Sequence, residues 1–267
     1  MSLNLIKKIL TVKFGGRNLK KDGQFIFSVN TGRSGSDYLG SILSTADEVL
    51  AFHERKPFMI GDYLLDVEEF PLEKSFNRRE VKTNQILKDL EHSGKKVYAE
   101  TNHMFGKTFY DVVFKNLSNV VVIHLNRDVK DTAKSFLKLR YFTTENNIWD
   151  KWMIKPNSKE SFLKFPDLEN EYELIFAYIA EMRYRSEYIK KTFNGKHISI
   201  NLDQLNDIEF VEKLFLDLSL TFNENTRNVV GKKINARHDR KKDFNFEFSQ
   251  EKFDFAFDKI NKVYKLS

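Results

Sequence analysis

The sequence predicts an α/β fold, a three-layer sandwich with a central, mostly parallel sheet. Apolar runs rich in β-branched and aromatic residues alternate along the chain with segments of helical periodicity. The run at residues 119–125, NVVVIHL, is apolar almost throughout, which is typical of a strand buried on both faces of a parallel sheet. Such sheets bind ligands beyond the carboxyl ends of their strands, so functional residues are expected there.

Each predicted element has its own boundary signals. The strands end where glycine or polar residues begin, and two of the helices are followed by the stop signals Gly94 and Gly195. Residues 58–75 contain Gly61 and Pro71 and are expected to be irregular. Strands are expected at residues 25–29, 48–52, 97–99, 119–125 and 197–202, and helices at 37–43, 77–92, 105–114, 129–140, 171–193 and 208–218.

The chain is expected to form one domain over residues 1–267, because it contains no internal repeat and no low-complexity linker. Residues 141–169 are rich in aromatic side chains and only weakly periodic. Long segments of this kind are usually functional or mobile. We therefore expect a functional loop or insertion at residues 141–169.

The composition limits the classes of function. With 41% apolar and 31% charged residues the chain is expected to be globular, and its net charge of +6 favours anionic ligands without requiring a nucleic acid. The absence of cysteine excludes disulfides, thiolate catalysis and cysteine-based zinc sites. No signal peptide and no apolar run of about 20 residues are present, which predicts a cytoplasmic protein without a membrane span. The oligomeric state is not predicted.

The segment from Phe25 to Leu43 has the pattern strand, glycine loop, helix. Its loop, residues 31–36, and the first turn of its helix leave backbone N–H groups without intrahelical acceptors. The positive end of the helix dipole points in the same direction, and Arg33, Ser34 and Ser36 add a cation and two hydroxyl groups. The pattern favours a phosphate or sulfate site, although a purely structural turn has the same glycine content.

A magnesium-dependent nucleoside triphosphatase of the Walker type is disfavoured. That motif needs Gly-Lys-Ser/Thr at the start of the helix, where this chain has Arg33-Ser34-Gly35-Ser36-Asp37. A second strand should end in a metal-binding aspartate, whereas NVVVIHL is followed by Asn126 and Arg127, and Asp128 comes one position later. An arginine at a strand end suits direct contact with an anion.

Two segments together resemble the sulfotransferases that use 3′-phosphoadenosine 5′-phosphosulfate (PAPS). TGRSGSDYL, from Thr31, is similar to the P-loop-like phosphosulfate-binding loop of that family, and RDVKDTAKSF, from Arg127, is similar to its 3′-phosphate motif. The resemblance implies that Arg33 also stabilises the leaving group, that no metal is needed, and that residues 141–169 lie on the acceptor side. The implied PAPS-binding residues are Thr31, Gly32, Arg33, Ser34, Gly35, Ser36, Asp37, Arg127 and Ser135.

Asp37 departs from the threonine or serine that the family has at this position. A carboxylate beside a phosphosulfate is repulsive unless its oxygens accept from backbone N–H groups. We therefore expect Asp37 to cap the helix.

Sulfuryl transfer to a hydroxyl needs a general base. Glu54, in VLAFHERKP, is the first candidate because the segment resembles the loop that carries the catalytic glutamate of tyrosylprotein and bacterial carbohydrate-type members. His103, in AETNHMF, is the rival, with Glu100 expected to orient it, and His53 is a third candidate. Each of these residues is also a plausible loop residue without a catalytic role.

The hypothesis is a sulfotransferase that uses PAPS and a small-molecule or carbohydrate acceptor, with no nucleic-acid partner. The alternatives are a divergent P-loop phosphotransferase using Mg-ATP and a catalytically silent nucleotide-binding protein. His124 is expected to be a core histidine and Asp203 structural. The basic segment at residues 231–242 is a candidate for closing over the cofactor.

Overall fold

The computed structural model describes residues 23–143, 148–232 and 247–266. Its strands are β1 (Gln24–Val29), β2 (Val49–Phe52), β3 (Val97–Glu100), β4 (Val120–Asn126) and β5 (Lys196–Asn201). They form one sheet in the order β2-β3-β1-β4-β5, and every neighbouring pair is parallel. Each connection therefore crosses over the sheet, and all five carboxyl ends lie along the same edge.

Helices cover both faces of this sheet. The α-helices are α1 (Ser36–Leu43), α2 (Asp62–Glu69), α3 (Leu72–Arg79), α4 (Val81–Ser93), α5 (Tyr110–Asn116), α6 (Val129–Leu139), α7 (Ile148–Trp152), α8 (Glu171–Thr192), α9 (Ile208–Asp217), α10 (Glu224–Val229) and α11 (Gln250–Val263). A π-helical turn (Phe105–Phe109) leads into α5, and a 3₁₀ turn (Leu202–Asn206) follows β5.

The alternation of side chains along β1 explains the three layers. Phe25, Phe27 and Val29 pack into a cluster with residues of α4, α5, α6, α8 and α11, whereas Ile26 packs into a second cluster with α1 and α9. Leu39 of α1 is fully buried in the second cluster. The predicted three-layer α/β sandwich is confirmed, and its sheet is parallel throughout the described residues.

The prediction that residues 58–75 are irregular is wrong, because α2 and the start of α3 lie there. Helix α3 fully buries only Ser75 and Arg79, and its apolar residues Leu72 and Phe76 are partly buried, so its apolar pattern is short. The Arg79 guanidinium pairs with the Asp111 carboxylate and donates to the backbone carbonyl of Leu72 at 2.6 Å. The helix predicted at 77–92 is divided at Glu80 between α3 and α4.

His124 lies inside β4 and is 2% exposed. Its Nδ1 lies 2.6 Å from Ser186 Oγ, and its Nε2 lies 3.0 Å from His197 Nδ1. Both ring nitrogens are therefore hydrogen-bonded, as expected for a core histidine. Burial, together with the neighbouring His197 and Lys190, lowers the pKa of His124 to about 4.

None of the helices in the described ranges combines the length and the apolarity that a membrane crossing would require. The predicted basic segment at 231–242 lies outside the described residues except for Gly231 and Lys232. The N-terminal residues 1–22, on which part of the expected location rests, also lie outside them.

Candidate active site

The loop between β1 and α1 turns through left-handed backbone conformations. Gly32, Arg33 and Gly35 have φ values of 77°, 56° and 90°. A Cβ atom at Gly35 would lie 2.2 Å from Cδ1 of Leu202, so both the dihedral angle and the contact favour glycine. The Asn30 side chain accepts from the backbone N–H of Gly32 at 2.9 Å and closes the start of the loop.

This loop presents backbone donors at the amino end of α1. In the described part of the chain, the N–H groups of residues 34–38 donate to no protein acceptor, and the first helical bond runs from Leu39 N to Gly35 O at 3.0 Å. The expected cap by Asp37 is wrong, because Gly35 is the N-cap and no side chain caps the helix. Asp37 is the second residue of the helix, where the positive end of the helix dipole stabilises its negative charge.

The two segments that resembled sulfotransferase motifs are in direct contact. Arg33 Nε donates to Ser135 Oγ at 3.1 Å, and Arg127 Nη1 donates to the backbone carbonyl of Arg33 at 2.9 Å. Strands β1 and β4 are neighbours in the sheet, so the loop after one meets the strand end and helix of the other. The two groups of candidate anion-binding residues therefore lie side by side.

A cavity of about 680 Å³ opens at the carboxyl edge of the sheet. Of the predicted binding residues, Thr31, Ser34 and Ser135 do not line it. Ser34 is buried with its hydroxyl directed at Asn30, and Thr31 donates to the carbonyl of Gly32. The predicted residues that line the cavity are Gly32, Arg33, Gly35, Ser36, Asp37, Arg127, Glu54, His53 and His103.

The three candidate bases meet at one wall of this cavity. Glu54 Oε1 lies 3.6 Å from His53 Nε2 and 3.9 Å from His103 Nε2. The Glu54 side chain is 27% exposed, and burial raises the pKa of its carboxyl group. His53 and Lys107 oppose that rise, whereas the Glu100 and Asp37 carboxylates add to it. The arrangement gives a partly desolvated carboxylate with two imidazole rings beside it.

Buried charges hold the loop that carries Glu54. Lys82 Nζ donates to the carbonyls of Arg55 and Pro57 at 2.7 Å and 3.1 Å, and to the Glu100 carboxylate at 2.7 Å. Glu100 also accepts from the backbone N–H of Arg55 at 3.1 Å. The expectation that Glu100 orients His103 is therefore wrong: its carboxylate is occupied by the Glu54 loop and by Tyr98 and Asn102.

The partner of His103 is Lys107, which the sequence analysis did not single out. Lys107 Nζ lies 2.7 Å from His103 Nδ1, and both side chains are almost completely buried. The Trp152 ring stacks on His103 with centroids 5.5 Å apart and an interplanar angle of 8°. Burial, followed by the charges of Lys107 and His53, lowers the pKa of His103 well below its usual range.

The remaining walls come from segments far apart in sequence. Tyr141, Ile148, Trp152 and Met153 line the cavity from the predicted functional loop. Phe136 of α6, Tyr38 of α1 and the turn after β5 complete it, and Asp203 of that turn faces the cavity although no functional role was predicted for it. Tyr38 OH accepts from Gly231 N at 2.7 Å, which holds Lys232 at the rim.

Solved structures similar to this chain were found, although no family model and no curated protein matches the sequence. The sulfotransferase STF1 from Mycobacterium tuberculosis H37Rv matches 98% of this chain and 81% of its own, with a TM-score of 0.53 and 10% identity. The chain has the sulfotransferase fold. Two further structures match less well, the sulfotransferase domains from the Synechococcus PCC 7002 olefin synthase and from the curacin biosynthetic pathway. Their TM-scores are 0.48 and 0.45, at 17% and 14% identity, over 78% and 76% of this chain and 76% of each of theirs.

Asp128, the aspartate nearest to the position of a Walker-type metal ligand, has a structural role. Its carboxylate accepts from Asp131 N at 2.8 Å and caps α6, and it does not line the cavity. The residue after Arg127 is thereby used in a helix cap rather than at a metal position. Among the described residues, no group of three or more His, Asp and Glu side chains is arranged to hold a metal ion.

Proposed function

We propose that this protein is a PAPS-dependent sulfotransferase that transfers a sulfuryl group to an acceptor hydroxyl on a carbohydrate or small metabolite. One observation carries the proposal. Arg33 and Arg127, from the loops after β1 and β4, line one cavity and are joined through the Arg33 carbonyl. Two fixed cations at neighbouring strand ends suit a ligand with two separate anionic groups.

The residues present fit the two anionic ends of PAPS. The N–H groups of residues 34–38, the amino end of α1 and the Arg33 guanidinium suit the 5′-phosphosulfate. Arg127 is assigned to the 3′-phosphate together with Ser135, whose hydroxyl accepts from Arg33 Nε, and both residues are half-buried, where charge-assisted hydrogen bonds are stronger than in water. In this proposal Thr31 and Ser34 shape the loop from beneath instead of contacting the ligand through their hydroxyls.

Bound PAPS supplies the sulfuryl group. A bond forms between the acceptor oxygen and sulfur while the bond from sulfur to the bridging oxygen breaks, and 3′-phosphoadenosine 5′-phosphate (PAP) leaves. Glu54 accepts the proton of the acceptor hydroxyl, a task suited to a carboxylate whose pKa burial has raised. Arg33 stabilises the negative charge that develops on the leaving oxygen.

The acceptor is proposed to lie against the 141–169 segment, whose Tyr141, Ile148, Trp152 and Met153 line the cavity. Aromatic and apolar faces of this kind pack against sugar rings and other small metabolites, and a few polar groups at one end orient the reacting hydroxyl. Glu54, His53 and His103 are the polar groups on the adjoining wall, where the Trp152 ring stacks on His103.

The test is transfer of labelled sulfate from PAPS to a pool of sugars and small hydroxyl compounds. We expect labelled sulfate esters with the wild type and at least a hundredfold slower transfer with Glu54→Gln, which keeps the shape but cannot take a proton. Asp66→Asn, at an exposed ion pair with Arg78 outside the cavity, is the matched control. Nucleotide binding without any transfer would instead indicate a catalytically silent binding protein.

A further inference from the structure

Lys107 is a buried amine with no part in the chemistry described so far. It lies in the π-helical turn after β3 and is 0% exposed. Its Nζ is 2.7 Å from His103 Nδ1, 2.8 Å from the Trp152 carbonyl and 4.0 Å from Met104 Sδ, and it lies 5.1 Å above the Tyr178 ring. A carbonyl, a thioether and an aromatic face all favour an N–H donor or a cation.

The opposite nitrogen of the same ring faces a carboxylate. His103 Nε2 is 3.9 Å from Glu54 Oε1, and an ionised carboxylate can only accept. The ring is held in this plane by Trp152 on its face and by Gly32, where an added Cβ would lie 3.3 Å from Nδ1. The amine and the carboxylate thus lie at opposite ends of one fixed imidazole.

Two proton arrangements satisfy the contact between Lys107 and His103. In one, Nζ donates to Nδ1 and the ring proton is on Nε2, which faces Glu54. In the other, a neutral amine accepts from Nδ1–H, and the bare lone pair of Nε2 faces the carboxylate. Burial, followed by the charge of Arg185, lowers the pKa of Lys107, while the Glu54 and Glu68 carboxylates oppose that effect. In the second arrangement the Nε2 lone pair and the Glu54 carboxylate, both acceptors, face each other, so the first arrangement is favoured.

We propose that Lys107 is a positioning residue: its Nζ donates to His103 Nδ1, so that the ring proton resides on Nε2 and is directed at the Glu54 carboxylate. The inference rests on the proposed function in taking Glu54 as the base. His103 then has no free lone pair with which to accept a proton from the acceptor hydroxyl. It orients Glu54 and leaves the proton transfer to that carboxylate.

The tautomer of His103 is measured by ¹⁵N NMR of protein labelled at its histidines. The chain has six histidines, and the His103 signals are assigned as those lost in His103→Asn. We expect a pyridine-type Nδ1 and a pyrrole-type Nε2 at neutral pH. A pyrrole-type Nδ1 in the wild type overturns the proposal, whether or not any variant folds.

Variants of Lys107 separate positioning from packing. Lys107→Met keeps the length and removes the donor, so the preference for the Nε2–H tautomer is expected to disappear. Lys107→Gln keeps an N–H donor and is expected to restore it. The matched control is Arg79→Met, because Arg79 is also 0% exposed but pairs with Asp111 and does not line the cavity. An unchanged His103 spectrum in Lys107→Met contradicts the proposal.

Kinetics give a second readout. We expect kcat of sulfate transfer to fall about tenfold in Lys107→Met and in His103→Asn, and less in Lys107→Gln, since the imidazole N–H directed at the catalytic carboxylate is lost or misplaced. An equal loss in Lys107→Gln and Lys107→Met argues against the donor role. Because the NMR result does not require transfer, failure of the proposed function and failure of this inference are distinguishable.

Discussion

Arg33 Nε donates a hydrogen bond to Ser135 Oγ at 3.1 Å, which joins the loop after β1 to helix α6 after β4. The two residues are 102 positions apart, and the pairing of β1 with β4 brings their segments together. The contact means that neither residue is expected to bind an anion independently of the other.

A double-mutant cycle tests that dependence. Ser135→Ala is expected to weaken PAP binding by up to about tenfold, the effect of one neutral hydrogen bond, and Arg33→Ala by more because a charge is lost. The double variant should lose less than the product of the two single effects, because the Arg33 to Ser135 bond is already absent in each. Calorimetric titration with PAP measures all four proteins. Independent effects would show that the contact does not shape the site.

The decrease of kcat at low pH should reflect the protonation of Glu54. A base is active only when ionised, so kcat is expected to fall as pH decreases through the pKa of Glu54, which burial raises above its usual value. Lys107 lowers this pKa, so the decrease should move to higher pH in Lys107→Met. His53, Glu100 and Asp37 act on the same carboxyl group and are retained in that variant. A profile of kcat against pH without this decrease would exclude Glu54 as the base.

Gly35→Ala should destabilise the protein and disturb the loop. The φ of 90° and the contact with Leu202 predict a loss of about 1 to 3 kcal/mol in the free energy of unfolding. Gly94→Ala is the matched control, because Gly94 has a φ of 66° and its Cβ would meet nothing within 4 Å. That variant should lose about 1 kcal/mol and keep full PAP affinity. Denaturant unfolding measures stability, and titration with PAP measures affinity. Equal losses of PAP affinity in the two variants would contradict the account.

His124 should make stability depend on pH. Its pKa is about 4 in the folded state and about 6.5 when unfolded, so only the unfolded chain binds the proton between those values. The contribution of neutral His124 to the free energy of unfolding is complete above the pKa of the unfolded state. It is lost as the pH falls towards the pKa of the folded state. We expect the wild type to lose up to about 2 kcal/mol more than His124→Gln between about pH 8 and pH 5. Denaturant unfolding measures both proteins, and the same dependence of stability on pH in the two would rule out this role of His124.

Local pattern was sufficient for the strands and for the first loop. NVVVIHL is apolar on both faces because helices cover both, and the glycines of TGRSGSDYL stand where the backbone becomes left-handed. Only the end of helix α3 was predicted, because its buried face carries Ser75 and Arg79, with Arg79 neutralised by Asp111, where apolar residues would have signalled the start of the helix. Side-chain patterns do not reveal such long-range ion pairs.

Several residues of the candidate site were predicted from the positions of the strand ends. Glu54, His103 and the two arginines follow strand ends, and the topology of a parallel sheet brings strand ends together. Lys107 was missed because the sequence does not show that it is buried, with the distant Trp152 carbonyl and Tyr178 ring packed against its amine beside His103. Asp37 was assigned to the cap because the sequence alone does not show that the helix begins at Ser36, after a Gly35 cap.

The alternative to a sulfotransferase is a phosphotransferase that binds Mg-ATP at the same loop. Our proposal distinguishes them by Arg127, which lines the cavity at a strand end where a Walker-type site would need a metal-binding aspartate and which we assign to a 3′-phosphate. The affinity for PAP, relative to adenosine 5′-phosphate, is therefore the property that Arg127 should control. Arg78, an exposed arginine paired with Asp62 and Asp66 away from the cavity, provides the control variant.

The most direct measurement is a calorimetric titration of the wild type, Arg127→Ala and Arg78→Ala with PAP, with adenosine 5′-phosphate and with Mg-ATP. The account predicts that the wild type and Arg78→Ala prefer PAP to both other nucleotides. In Arg127→Ala the preference over adenosine 5′-phosphate should fall by about tenfold or more, since a charge-assisted contact to the 3′-phosphate is lost. Tighter binding of Mg-ATP than of PAP, or no dependence on the 3′-phosphate, would contradict it.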